Sequence, residues 1–256
     1  MSKLRRVNRA LVADVKNLGD TMTCPDVASS LGKSPRLYRA IAVTDGSGTS
    51  WGSPAGSAAY LYLRETEEHT LLFSRVASGT SQSAELRAIL DVLEHLHGLG
   101  YHKRDSGCRI LFITDSTLVE STLKAIDKDY VKLYRDAAHP GVAAAILAFA
   151  RRGFGFDVAR IRRNTSPVHA GVDEASRSSR LGKDPVEAYR CASEKQIKRK
   201  RKSDGEGSSE DAGRDTKDPG SVGSEQGKLK ALRRVGKVSR RNAADPGGSN
   251  HQTVED

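Results

Sequence analysis

The sequence predicts an α/β fold: a mixed five-stranded sheet, three antiparallel strands followed by two parallel ones, with helices on both faces. Three observations carry that expectation. Three short apolar runs come first, with no helical stretch between them. Helical stripes then alternate with further apolar runs. Gly, Ser and Asp clusters mark the joints.

In chain order, residues 1–38 read as a basic N-terminal arm. Leu4 to Leu18 has the spacing of a short helix, and Cys24-Pro25-Asp26 opens a polar connector that ends near Ser34-Pro35. Residues 39–182 read as the folded domain. Tyr38 to Thr44 is a buried strand closed by Asp45-Gly46-Ser47, and a Gly/Ser-rich loop follows. Ala58 to Leu63 and Thr70 to Val76 flank the charged turn Arg64 to Glu68, which predicts an antiparallel pair. Leu86, Ile89, Leu90, Leu93 and Leu96 form one apolar stripe, so a helix runs there, capped by Ser81 or Ser83 and ended by Gly98-Leu99-Gly100. Arg109 to Thr114 is a second fully apolar strand. Helices over Ser116 to Ile126 and Val142 to Arg152, a strand over Phe156 to Ile161 and a helix over Ala170 to Ser179 complete the domain.

Residues 183–256 have a different composition. They hold only eight Ile, Leu, Val or Phe in 74 positions, too few to offset the entropy of ordering, and predict a disordered basic tail. Of the net charge of +10, the first 182 residues supply 25 basic against 19 acidic side chains, and the tail 17 against 13. Such an excess suits a polyanionic partner, and equally plain solubility. Lys195 to Lys202 (KQIKRKRK) has the make-up of a nuclear signal or a nucleic-acid patch. Lys228 to Arg241 has the spacing of a basic helix for a protein or nucleic-acid partner. Three separated cysteines exclude a disulfide scaffold and a cysteine-rich zinc module. No apolar run is long enough for a membrane span, and the basic N-terminus lacks a secretory core. The expected location is therefore intracellular, nucleus or cytoplasm, with no membrane partner.

Four carboxylates fall at strand ends or early in helices: Asp45, Glu85, Asp115 and Asp173. Each has an ordinary reading: Asp45-Gly46 as a turn, Asp115 as a helix cap, Glu85 as a partner of the helix dipole, and Asp173 as a solvated helix residue. Together they form a pattern. Thr44-Asp45-Gly46-Ser47, Ser83-Ala84-Glu85-Leu86, Ile113-Thr114-Asp115-Ser116 and Val172-Asp173-Glu174-Ala175 resemble, in order, the four signature segments of the ribonuclease H family. The carboxylates lie 40, 30 and 58 residues apart. The resemblance covers Arg39 to Arg180.

The resemblance implies a ribonuclease H-like fold and an endonuclease that cuts the RNA strand of RNA–DNA hybrids, leaving 5′-phosphate and 3′-hydroxyl ends. It implies two Mg²⁺ ions, with Mn²⁺ able to replace them. Asp45 would bridge both, Glu85 and Asp115 would hold one, and Asp173 the other. Two divalent ions beside a polyanion call for such a set of hard oxygen ligands. The family's 2′-hydroxyl contacts carry over to Gly46, Ser47, Ser81 and Gln82. Two departures stand out. The family often has a histidine in the loop before its last aspartate; here that place falls at Arg163-Asn164. His169, one turn before Asp173, is an auxiliary candidate, either substituting for that histidine or fixing Asp173 by a hydrogen bond. The tryptophan-bearing basic protrusion of some bacterial members has no counterpart between Asp115 and Phe156.

Other motifs fail. Gly32-Lys33-Ser34 lacks the upstream glycine of a P-loop, His95 and His97 point to different faces of a helix, and Asn164-Thr165-Ser166 is a sequon only for a secreted chain. Two further functions stay open: a DNA-directed nuclease of the wider superfamily, and a viral or retroelement nucleic-acid-binding protein with this fold and no turnover.

Overall fold

A computed structural model of the chain describes residues 11–14, 22–101, 108–126, 140–163 and 165–205. Six strands, β1 (Leu11–Asp14), β2 (Ala40–Ser47), β3 (Ala55–Leu63), β4 (Glu68–Val76), β5 (Cys108–Thr114) and β6 (Phe154–Arg160), form one sheet. Its order is β1-β4-β3-β2-β5-β6. The described helices are α1 (Cys24–Ser30), α2 (Ser81–Gly98), α3 (Thr117–Ile126), α4 (Pro140–Ala150), α5 (Pro167–Leu181) and α6 (Pro185–Gly205).

The predicted five strands are all present. The β2–β3 and β3–β4 pairs are antiparallel, and β2–β5 and β5–β6 are parallel. β2 and β5 are buried on both faces, as their unbroken apolar runs require. Alternation then sorts their side chains. Ala40, Ala42, Ile110 and Phe112 pack into a core with α2, α3 and α4, while Ile41, Val43, Leu111 and Ile113 pack into a second core with α1, α5 and α6. The domain is thus three layers deep.

The parallel pairings and the two antiparallel steps make β2, β4, β5 and β6 run the same way. Their C-terminal ends share one edge, and α2, α3 and α5 start there. Sites of open α/β sheets gather at such an edge.

Four expectations are corrected. Leu11–Asp14, inside the expected helix Leu4 to Leu18, is a strand paired antiparallel to β4; the rest of that expected helix lies outside the described residues. An open edge on β4 offers unmatched backbone groups, and that pairing outweighs a short helix. Cys24-Pro25-Asp26 starts α1 rather than a connector. Thr23 accepts from the Asp26 N–H while Asp26 accepts from the Thr23 N–H, a capping box with proline in the first turn. The α2 cap is Thr80, which accepts from the Ser83 N–H.

The fourth correction concerns the tail. Its first part, Pro185–Gly205, is helix. Gly182 at φ 69° ends α5, the Val186 N–H donates to Asp184 Oδ1 at 2.9 Å, and α6 folds back on α5. Tyr189 is buried with its ring 5.1 Å from that of Tyr60. Ser193 Oγ donates to the Pro167 carbonyl at 3.0 Å. A Cβ on Gly171 would come within 2.7 Å of the Tyr189 ring, so glycine there lets the helices close. The chain divides after Glu210, and residues 206–256 lie outside the description, with the predicted basic helix Lys228 to Arg241 among them.

Removing the Tyr189 ring should therefore cost core stability. Tyr189→Ala is expected to destabilise the domain by about 3 kcal/mol in urea unfolding. A chain ending at Gly205 should keep the full-length midpoint, and one ending at Gly182 should fall well below it.

Candidate functional site

The four predicted carboxylates meet at the common strand edge. Asp45 lies in β2 and is buried, and Asp115 follows β5. The β2–β5 register pairs Val43 with Ile113, so two residues further along Asp45 is level with Asp115. One ligand atom each from Asp45, Asp115 and His169 lies within 4.8 Å of the others. Glu85, in the second turn of α2, lies close enough to Asp45 and Asp115 to feel both charges, and Asp45 feels Asp173.

Glycines set this convergence. A Cβ on Gly46 would sit 2.2 Å from the Glu85 backbone nitrogen, and one on Gly48 would sit 2.5 Å from the Thr80 carbonyl carbon. Only glycine lets the start of α2 lie against β2 so closely. On the opposite side a Cβ on Gly56 would sit 2.3 Å from the Ser176 carbonyl oxygen, so α5 closes on β3 in the same manner. Ser81 Oγ donates to the Gly46 carbonyl at 3.2 Å, tying the two segments together. Ser47 is half-buried at the rim and Gln82 is exposed.

Charge is unevenly balanced. Burial, then the Asp173 and Asp115 charges, push Asp45 up to about 6, although Ser176 Oγ donates to its Oδ2 at 2.8 Å. Burial and the Asp45 charge push Glu85 up to about 8, and its Oε2 is buried without a hydrogen-bond partner. Asp115 goes the other way: His169, with Arg163 helping, holds it below the usual carboxylate range. The His169 Nε2 to Asp115 Oδ2 distance is 3.8 Å, an electrostatic contact rather than a hydrogen bond.

His169 is completely buried, and neither ring nitrogen has a hydrogen-bond partner. The expectation that it hydrogen-bonds Asp173 is thus corrected: the ring faces Asp115. Ser116, rather than Asp115, caps the following helix by accepting from the Val119 N–H at 3.3 Å.

Two arginines were not among the predicted site residues. Arg163 Nη2 lies 3.0 Å from Asp173 Oδ1, and its Nε lies 3.8 Å from Asp115 Oδ2. Arg177 Nη2 lies 2.9 Å from Asp173 Oδ2. Asp173 is thereby held between two guanidinium groups. Arg163 stands where the sequence lacks the loop histidine, which is the signal that marked the spot. Arg160, Ile161, Arg162 and Arg163 line, with Asp115, a cleft of about 550 Å³.

The sheet order β4-β3-β2-β5-β6, three strands antiparallel and then two parallel, is a ribonuclease H-like fold, extended here by β1. No family model matches the sequence, and no curated protein matches it. Solved ribonuclease H1 structures are similar to it at low identity. LC11-ribonuclease H1 in complex with an RNA/DNA hybrid is 18% identical over 50% of this chain and 88% of its own, with a TM-score of 0.41. The N-terminal ribonuclease H domain of a Mycobacterium tuberculosis protein is 16% identical over 56% of this chain and 96% of its own, at 0.41. Ribonuclease H1 of Halobacterium salinarum is 22% identical over 55% and 96%, at 0.40.

The raised carboxyls have a stability consequence. Asp45 and Glu85 are protonated in the folded chain at pH values where they ionise unfolded, so their contribution is full below about pH 4 and is lost as pH rises through 6 and 8. Asp115, lowered, contributes throughout that window. Calorimetry in EDTA should show the melting temperature falling by about 4 °C or more between pH 5 and pH 8.5. Glu85→Gln should flatten the upper part of that fall. Mg²⁺ should raise the melting temperature more at pH 8 than at pH 5, because cation ligands must be deprotonated.

Proposed function

We propose that this chain is a divalent-metal-dependent endonuclease that hydrolyses the RNA strand of RNA–DNA hybrids, leaving 5′-phosphate and 3′-hydroxyl ends. The observation that carries the reading is the gathering of Asp45, Glu85, Asp115 and Asp173 at one edge, with Asp45 buried and the Glu85 Oε2 unpaired. Gathering four carboxylates is costly without a cation to hold.

The donor set fits two Mg²⁺ ions, or Mn²⁺: oxygen donors at one edge beside an open cleft. By the resemblance, Asp45 would be shared, Glu85 and Asp115 would hold one ion and Asp173 the other. Bound there, the ions would supply an activated water and offset charge on the departing 3′-oxygen. The protein's own groups do the rest. Ser176 holds Asp45 in orientation through its 2.8 Å hydrogen bond. Glu85, whose pKa burial raises, would have to be ionised to serve as a ligand. Arg163 leaves Asp115 and Asp173 and turns its guanidinium toward the phosphates in the cleft. His169 backs Asp115 from the buried side. By the resemblance, Gly46, Ser47, Ser81 and Gln82 would meet the ribose 2′-hydroxyls that identify the RNA strand.

A second reading has one observation in its favour. Arg163 and Arg177 already neutralise Asp173, as they would in a protein that kept the fold to bind nucleic acid without turnover.

Purified protein with Mg²⁺ should cut an end-labelled RNA–DNA hybrid, spare double-stranded DNA of the same sequence, and stop when EDTA is added. Asp45→Asn should lower the cleavage rate by at least about 100-fold while hybrid binding persists. Binding without cleavage in the unaltered protein would select the second reading, and cleavage of the DNA duplex would point to a DNA-directed nuclease.

A further inference from the structure

Helix α6 has two halves of opposite character. In the first, Val186, Tyr189, Ser193 and Ile197 recur every three or four residues and face the body; Tyr189 and Ser193 are buried, and Val186 and Ile197 half-buried. The acidic residues Glu187 and Glu194 also belong to this half, both paired with Arg190. After Ile197 the pattern stops. The next positions on the packed face are Lys200 and Arg201, and both are exposed. From 195 to 202 six of eight residues are basic, all six exposed, with no acidic residue among them. A helix end that is cationic on every side has no face to bury, so it stands clear of the domain.

Its position follows from the hairpin with α5. That helix starts beside Asp115 and runs along the carboxylate edge, past Asp45 and Gly56 to Ser74 on β4, and α6 returns antiparallel. The Ser193 hydrogen bond to the Pro167 carbonyl brings α6 level with the first residue of α5. From Ser193 to Lys202 the helix continues for about 13 Å. It therefore extends past the start of α5, on the side of the loop whose Arg160, Arg162 and Arg163 line the cleft.

We propose that the end of α6 is a rigid cationic arm that grips the phosphate backbone of a nucleic-acid duplex lying in that cleft. The duplex's place rests on the function proposed above; the gripping itself needs only phosphates. A duplex presents a charge for about every 1.7 Å of its axis, so 13 Å of cationic helix faces several phosphates and releases their counterions. A preformed arm also avoids the ordering cost that a disordered basic segment incurs on binding. The contact is to phosphate, so it is indifferent to base sequence and to which strand is RNA.

The test uses the full chain carrying Lys198→Ala, Arg199→Ala, Lys200→Ala and Arg201→Ala together, with an unchanged melting temperature as the check on folding. Binding is followed in EDTA by fluorescence anisotropy of a labelled 20-base-pair RNA–DNA hybrid, and of a DNA duplex of equal length, across a NaCl series. The expected result is at least about tenfold weaker binding of both duplexes and a shallower log–log salt dependence, its slope reduced by about 3. Restoring charge as lysine at all four positions should restore both. Equal affinity and equal slope in the alanine variant would overturn the proposal, and loss of nuclear accumulation of a fluorescent fusion with binding intact would replace it with a protein import carrier as the partner. Cleavage is not read in this assay. A shallower slope in a chain that never cuts the hybrid would leave the arm standing and remove the nuclease; cleavage with an unchanged slope would do the reverse.

Discussion

The structure depends on holding like-charged carboxylates together at the end of a dry sheet. Side by side on parallel strands, Asp45 and Asp115 are brought level by backbone register, not by attraction. Repulsion and lost hydration both oppose the arrangement. What keeps it in place is packing remote from the charges: two apolar cores, one on each face, fix β2 and β5 so firmly that the side chains at their ends have nowhere else to go.

The helices contribute through their backbones. Gly46 and Gly48 bring α2 against β2, and Gly56 brings α5 against β3, so Glu85 and Asp173 arrive from opposite sides of the sheet. A methyl group at any of these glycines would meet backbone atoms rather than flexible side chains. The separation of the carboxylates is thus set by contacts that bear no charge.

The five strands, and Asp45 and Asp115 at their ends, were legible in the sequence because they follow local rules; Glu85 and Asp173 joined them only through the ordered resemblance of four segments. Apolar runs give the strands, and acidic residues directly after them mark the edge. What escaped reading was decided by partners far along the chain. Leu11–Asp14 is a strand only because β4 has a free edge. Pro185–Gly205 is ordered only because Tyr60 and Gly171 offer Tyr189 a place, and composition averaged over 74 residues concealed the 21 that use it. The Thr23–Asp26 capping box was local and readable, but Cys-Pro-Asp resembled a turn more than a helix start. Arg163 was located by the absence of a histidine; its ion pair with a carboxylate ten residues along the chain was not encoded in any short motif.

Arginine in that place changes how the cluster is balanced. A histidine can lose its proton and withdraw its charge, whereas a guanidinium stays charged and has two carboxylates within reach. Asp115 and Asp173 consequently have internal counter-charges, while Glu85 has an unpaired buried oxygen and shares with Asp45 the raised proton affinity. The cluster divides into two carboxylates, Asp115 and Asp173, with a guanidinium within reach, and two, Asp45 and Glu85, whose proton affinity burial and neighbouring charge raise. On the proposed reading, Asp45 and Glu85 would have to be ionised, and Arg163 moved aside, before all four carboxylates could hold cations. Release of protons would make occupancy depend on pH, and release of Arg163 would place a free guanidinium at the wall of the cleft where, on that reading, phosphate would lie. Displacing the arginine and recruiting the substrate are then two consequences of one movement, which ties loading of the site to its ability to hold a polyanion.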